Sequence, residues 1–114
     1  MRKHKDNSIA NFKRGTTEMV ILRLLSEKDL YGYEITQAIK EKSNGKYLLL
    51  AGTLYNILFR LNELGYISNY IKQIGTKRKR RYYHIEDEGK RYLSKVVNEY
   101  SMICESVNRI LKKK

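Results

Sequence analysis

Five consecutive basic side chains are the most prominent chemical feature of the sequence. They are Lys77, Arg78, Lys79, Arg80 and Arg81, and no acidic residue interrupts them. Because like charges repel, such a run is favoured beside a polyanion, and both lysine and arginine bind phosphate groups. The run lies between two segments with the composition of strands, which predicts a basic hairpin. We therefore expect these residues to contact the phosphate backbone or the minor groove of a nucleic acid.

A second group of polar side chains lies at the start of a predicted helix, after Gly52. Its members are Thr53, Tyr55, Asn56 and Arg60. Thr53 and the free backbone amides of a helix start can hold a phosphate, and Tyr55 can stack on a sugar or donate to a phosphate. The Asn56 amide carries the donor and acceptor pair that matches adenine, and Arg60 can reach phosphate or guanine. We expect this helix to enter the major groove.

Each of these residues also has a purely structural interpretation. Thr53 could only cap the helix, Tyr55 could pack on the first helix, and Arg60 could pair with Glu63. Phe59 lies on the same helix face, where it could touch a thymine methyl group or pack against the hairpin. The sequence alone leaves these alternatives open.

The elements that position these residues follow from hydrophobic periodicity. The pattern predicts helices at 17–25, 31–42 and 53–64, strands at 66–73 and 80–85, and a long helix from 87 or 88 to the C-terminus. One stripe of the third helix is expected in the core; its residues are Leu54, Ile57, Leu58, Leu61 and Leu64.

This order of elements predicts a mainly α fold with a small β-hairpin, a winged helix-turn-helix with an appended dimerisation helix. Residues 1–14 would form a basic N-terminal arm, 15–86 the winged helix-turn-helix DNA-binding domain, and 87–114 the dimerisation helix with a basic tail.

The last predicted helix carries a broad apolar strip. The strip consists of Leu93, Val96, Val97, Tyr100, Ile103, Cys104, Val107, Ile110 and Leu111. An isolated helix with such a strip needs a cover, so we expect part of it to pack on the first helix and part on a second copy, as a two-fold homodimer. The alternative is that the strip is wholly covered by residues of its own chain. Cys104 is expected to act there as a small hydrophobe.

Composition limits the classes of function. The chain has 114 residues, and 24 Lys and Arg against 12 Asp and Glu give a formal charge of +12. No run is apolar enough to predict a membrane span or signal peptide, and one cysteine allows no intrachain disulfide, so we expect a cytoplasmic protein. No nucleophile, phosphate-loop or metal motif occurs, and His4, His84 and Cys104 are too few for a zinc site. We expect no enzyme activity, no cofactor and no metal.

Several motifs together resemble the PadR-like transcriptional regulators, in their small form with a single short C-terminal helix. The resemblance covers about residues 15–100. The motifs are Gly32-Tyr33-Glu34-Ile35, Gly52-Thr53-Leu54-Tyr55, Arg60-Leu61-Asn62-Glu63-Leu64-Gly65-Tyr66-Ile67, Arg80-Arg81-Tyr82-Tyr83 and Glu88-Gly89-Lys90. The resemblance implies a homodimeric repressor that binds an inverted repeat in double-stranded DNA. In some members a small aromatic or drug-like compound releases the DNA.

The sequence departs from the family pattern at three positions. Asn56 stands where the family commonly has Pro, and Phe59 stands where it usually has a polar residue. Glu86 replaces the usual Thr or Ser at the start of the last helix, so Asp87 is expected to cap that helix.

Two other classes of function remain open from the sequence. A basic winged helix could bind RNA, because charge alone does not distinguish RNA from DNA. The long last helix could also pair with a different chain, which would make the protein an interaction module.

Overall fold

The computed structural model describes Lys13 and residues 15–112, so the rest of the expected basic arm and the last two lysines lie outside the described residues. The helices and strands that lie wholly within the described residues are α1 Thr17–Glu27, β1 Leu30–Tyr31, α2 Gly32–Lys42, α3 Ala51–Glu63, β2 Ile67–Ile74, β3 Arg78–Ile85 and α4 Asp87–Leu111. The expected winged helix-turn-helix with a long C-terminal helix is confirmed.

The sheet has one strand more than the hairpin expected from the sequence. Its order is β1-β3-β2, and both pairings are antiparallel. In β1, Leu30 pairs with Tyr83 and Tyr31 pairs with Tyr82. Two residues are too few to show the alternation that marks a strand, and the sequence pattern placed Tyr31 at the start of the second helix. The extra strand ties the base of the hairpin to the start of α2.

The core lies between α1, α2, α3 and the sheet. Its fully buried side chains are Ile21, Leu22, Leu25, Ile35, Leu54, Leu58 and Leu61. Two residues of the third-helix stripe depart from the expected burial: Ile57 is only half-buried and Leu64 is 49% exposed. Leu64 follows the last residue of α3, and Gly65 then adopts a φ of +80°, which turns the chain away from the core.

Helix α3 begins at Ala51, two residues earlier than expected, with Leu50 at the N-cap position and no side-chain cap. Thr53 therefore lies within the first turn and does not cap the helix, so this interpretation was wrong. Its side chain is exposed.

Helix α4 has 25 residues and Glu86 at its N-cap position. The expectation that Asp87 caps this helix was wrong, because Asp87 is its first residue. Near its start, Gly89 lies so close to the Tyr66 backbone that an added Cβ would overlap the Tyr66 carbonyl oxygen. The first turns of α4 therefore pack tightly against the body of the domain, and the Tyr92 ring stacks on Tyr66 with centroids 4.4 Å apart.

Candidate nucleic-acid interface

Helix α3 presents one exposed face because its opposite face is fixed in the core. Leu54, Leu58 and Leu61 are at most 1% exposed, which sets the rotation of the helix about its axis. The exposed side chains then include all four predicted contact residues, which are Thr53, Tyr55, Asn56 and Arg60. The interpretation of this face as a groove-reading surface is consistent with their accessibility.

The Tyr55 ring packs against Gly32, the first residue of α2. An added Cβ on Gly32 would overlap the Tyr55 hydroxyl oxygen and lie 2.7 Å from Tyr55 Cζ. Gly32 is itself buried, whereas Tyr55 remains 49% exposed. The missing side chain at Gly32 therefore provides the space that orients the Tyr55 hydroxyl group.

Arg60 forms an ion pair with Glu18 of α1, not with Glu63 as the structural alternative supposed. The Glu18 side chain is only 20% exposed, and it also accepts a hydrogen bond from the Tyr92 hydroxyl group of α4 at 3.2 Å. Glu18 thus connects the exposed face of α3 to the long helix. The Arg60 side chain is still 58% exposed, so its outer nitrogens remain accessible to a phosphate.

The basic run forms the second strand of the hairpin and the end of its turn. Lys77 lies in the turn, and Arg78 is the first residue of β3. Because side chains alternate along a strand, Lys79 and Arg81 share the face of buried Tyr83, whereas Arg80 lies on the other face with Tyr82. The tip of the hairpin therefore carries positive charge on both faces, as insertion between two phosphate backbones would require.

Aromatic rings stiffen the outer face of the hairpin. Tyr70 and Tyr82 stack with centroids 5.7 Å apart, and the Tyr31 ring meets Tyr82 edge to face at 5.5 Å. The Arg80 guanidinium lies 4.3 Å from the Tyr31 ring centroid, and Lys72 Nζ lies 5.2 Å from that of Tyr82. Such contacts restrain long cationic side chains near the tip.

The base of the hairpin is anchored to the α1–β1 loop through Asp29. The Tyr70 hydroxyl donates to Asp29 Oδ2 at 2.7 Å, and His84 Nδ1 lies 2.8 Å from Asp29 Oδ1. Partial burial raises the pKa of the Asp29 carboxyl, but the hydrogen bonds with Tyr70 and His84 outweigh it, and the pKa is lowered overall. His84 thus links β3 to the α1–β1 loop.

A chain of amide hydrogen bonds links the hairpin to α3, and sequence reasoning missed it. Arg81 Nη1 donates to Asn69 Oδ1 at 2.5 Å, and Asn69 Nδ2 donates to Asn62 Oδ1 at 2.9 Å. No pattern in the sequence indicates this chain, because it depends on the pairing of β2 with β3 and on how α3 packs against them. It fixes the distance between the two candidate contact surfaces.

Phe59 stands at the mouth of a notch between α3 and the hairpin. The notch has a volume of about 300 Å³ and is lined by Tyr55, Leu58, Phe59, Asn62, Asn69, Arg81 and Tyr83. Burial raises the pKa of the Tyr83 hydroxyl on the notch floor. Phe59 is 67% exposed, so the hairpin covers little of its ring. Its surface is available to a ligand of this face.

The apolar strip of α4 divides into a covered and an exposed part. Leu93 is 7% exposed and belongs to the core of its own chain, so its assignment to a dimer interface needs correction. Val96 and Cys104 are half-buried. The other members are exposed by 40–80%; they are Val97, Tyr100, Ile103, Val107, Ile110 and Leu111.

Val97 and Tyr100 form one wall of an apolar groove of about 590 Å³. The other lining residues come from α1, α2 and the segment that follows α2; they are Met19, Val20, Arg23, Leu24, Ile39, Lys42, Ser43 and Tyr47. A concave, mostly apolar groove of this volume is typical of a binding site.

Within the described part of the chain, no group of three or more His, Cys, Asp or Glu side chains could hold a metal ion. No helix in the same residues is long and apolar enough to span a membrane.

The family model for the PadR-like transcriptional regulators matches residues 21–95. An uncharacterised protein from Lysinibacillus sphaericus is 39% identical over 95 residues, which cover 83% of this chain and 87% of that protein. The structure of a transcriptional regulator from Clostridium thermocellum is similar with a TM-score of 0.84 and 34% identity, over 90% of this chain and 99% of that one.

A further similar structure is that of Bacillus subtilis PadR in complex with operator DNA. Its TM-score is 0.67 and its identity 29%, over 72% of this chain and 46% of that one. The similarity thus extends over less than half of the Bacillus subtilis chain.

Proposed function

This chain belongs to the PadR-like family of transcriptional regulators, and we propose that it acts as a homodimeric repressor that binds an inverted-repeat operator. The family consists of regulators rather than enzymes. This agrees with the expectation of no enzyme activity, which was based on the absence of catalytic motifs from the sequence. The observation that carries the proposal is the placement of the exposed α3 face and the basic hairpin on either side of one notch.

In this proposal α3 provides sequence specificity and the hairpin provides affinity. Tyr55 and Asn56 contact base edges or the adjacent sugar and phosphate in the major groove, and Thr53 and Arg60 hold the flanking phosphates. The basic run then contacts the backbone walls of the neighbouring minor groove; its residues are Lys77, Arg78, Lys79, Arg80 and Arg81. The similarity to a protein solved with its operator supports duplex DNA as the ligand.

The exposed part of the α4 strip supports the homodimer. Beyond Leu93 the helix carries its apolar side chains into solvent, and the groove beside Val97 and Tyr100 offers them a complementary surface on a second copy. A two-fold pair would place two α3 helices on successive half-sites about 34 Å apart. Residues 15–86 would then bind DNA and the helix from residue 87 would associate the copies.

We also propose that a small aromatic or drug-like effector binds in the same groove, between its walls and the α4 helix of the second copy. Its volume of about 590 Å³ lies within the range of small-molecule sites, and its walls are mostly apolar. A ligand there would touch Val20 of α1 and Val97 of α4, so it would change how the two helices pack.

The proposed target of the protein is genomic DNA, so the protein would act in the cytoplasm.

Binding to RNA is the second candidate function, because the charge of +12 favours any nucleic acid. The decisive experiment is protection mapping on DNA upstream of the protein's own gene, followed by competition between the protected duplex and structured RNA at fixed salt. Two protected half-sites and weak competition by RNA support the proposal. Displacement of the duplex by an equal concentration of RNA would refute it.

A further inference from the structure

We propose that Asn69 is a positioning residue that holds the Arg81 guanidinium against α3, so that the hairpin and the helix bind DNA as one rigid unit. This inference rests on the proposed function of the two surfaces. The hydrogen-bond chain Arg81–Asn69–Asn62 carries it, with donor–acceptor distances of 2.5 and 2.9 Å.

The register of the sheet places the chain where it can act. Asn69 pairs with Tyr83 in the register of β2 and β3, and Ile71 pairs with Arg81, so all four side chains lie on the same face of the hairpin. Arg81 is therefore the diagonal neighbour of Asn69. Asn62 belongs to the last turn of α3, so the chain bridges two elements that local sequence does not connect.

The chemistry of the three groups fixes the direction of the chain. A guanidinium only donates hydrogen bonds, so the Asn69 oxygen must face Arg81. The Asn69 amide nitrogen is then directed to Asn62, whose oxygen accepts. Both asparagines are half-buried, whereas Arg81 is exposed and free to use its other nitrogens. An amide at position 69 is well suited to serve both neighbours at once.

The other basic residues of the hairpin are held differently. Among the described residues, there is no hydrogen-bond partner for the charged groups of Lys77, Arg78 or Lys79. The Arg80 guanidinium lies over the Tyr31 ring on the opposite face of the hairpin. Arg81 is the member of the run that connects to the reading helix. It is thus suited to a contact of defined geometry, whereas the others supply charge.

Loss of the Asn69 amide should leave the charge of Arg81 in place but release its orientation. Ordering a free arginine side chain on DNA costs conformational entropy, which a preorganised side chain avoids. The expected result for Asn69→Ala is a loss of affinity for the protected duplex of about 3- to 10-fold. The slope of log K against log[salt] should not change, because the number of neutralised phosphates is the same.

The test measures fluorescence anisotropy on the protected duplex and on a scrambled duplex of equal composition, at several salt concentrations. The variants are Asn69→Ala, Arg81→Ala and their double mutant. The matched control on the same strand and face is Lys79→Ala, alone and combined with Asn69→Ala. On the Arg81→Ala background, Asn69→Ala should have no further effect. On the Lys79→Ala background, its effect should be fully retained.

Additive losses from Asn69→Ala and Arg81→Ala would overturn the inference, as would unchanged affinity of Asn69→Ala for the protected duplex. If Asn69→Ala fails to fold, Asn62→Ala breaks the same chain from the α3 side and must lower affinity for the protected duplex without changing the salt slope. Lack of duplex binding by the unmodified protein would refute the proposed function itself, which separates the two failures.

Discussion

The substitution Gly32→Ala tests whether the Tyr55 hydroxyl group contacts DNA. An added Cβ would overlap that hydroxyl oxygen and lie 2.7 Å from Tyr55 Cζ. Non-bonded carbon atoms need about 3.5 Å, so the ring must move by about 1 Å or more. Tyr55 is 49% exposed, and solvent lies on its outer side, so the ring can move without displacing the core.

The expected effects on stability and on binding are therefore separable. Alanine restricts the unfolded chain more than glycine does, which stabilises the fold by about 0.4–1 kcal/mol and offsets part of the cost of moving the exposed ring, so the free energy of unfolding should change by less than about 1 kcal/mol. A hydrogen bond to a charged group contributes about 1.5–3 kcal/mol, so losing the Tyr55 contact should lower operator affinity at least about tenfold per half-site. If Tyr55 had only a structural role, Gly32→Ala would not lower operator affinity.

The assay pairs thermal unfolding with anisotropy titrations on the protected duplex. Gly89→Ala is the contrasting variant, because its added Cβ meets the Tyr66 carbonyl oxygen and lies 2.9 Å from Ile85 Cγ1. A backbone atom cannot swing aside, so this variant should lose about 1–3 kcal/mol of stability. The proposed role of Tyr55 would be refuted if Gly32→Ala bound the operator with the same affinity as the unmodified protein. If Gly32→Ala lost as much stability as Gly89→Ala, Tyr55 would be fixed in place and unable to move aside.

The remaining predictions concern association and pH. Val97→Asp should convert the proposed dimer to monomers in a solution mass measurement, because it puts a charge on the apolar groove. Met102→Asp, on the far side of α4 by helical spacing, should leave the mass unchanged. An unchanged mass for Val97→Asp would contradict the role proposed for α4. The lowered pKa of Asp29 means that its ionised form stabilises the fold above its usual pKa of 3.8 and that this contribution is lost as pH falls through the lower folded value. The stability difference between the unmodified protein and Asp29→Asn, which weakens the bonds to Tyr70 and His84, should thus shrink as pH falls below about 4, and a difference that grows there would contradict the sign.

Periodicity predicted the order and type of the larger elements because each buries one continuous apolar face. Leu54, Leu58 and Leu61 repeat at helical spacing, so the exposed side of α3 could be inferred along with its buried side. The strand at Leu30 and Tyr31 could not be inferred, because two residues show no period and their pairing with β3 joins segments about 50 residues apart.

The site was predictable in its residue types but not in its contacts. The basic run stands out by charge, yet the bond from Arg81 to Asn69 depends on strand register. The ion pair of Arg60 with Glu18 joins α3 to α1, whereas sequence spacing suggested a local partner. Long-range polar contacts of this kind leave no periodic trace in the sequence.

Binding of the protein to its protected duplex as a function of salt tests the paired α3 and hairpin surfaces most directly. If each copy neutralises about four phosphates, log K should fall against log[salt] with a slope of about −7, with two chains bound per duplex. A slope shallower than about −2, or one chain bound per duplex, would contradict the joint contact of two hairpins and two reading helices with DNA.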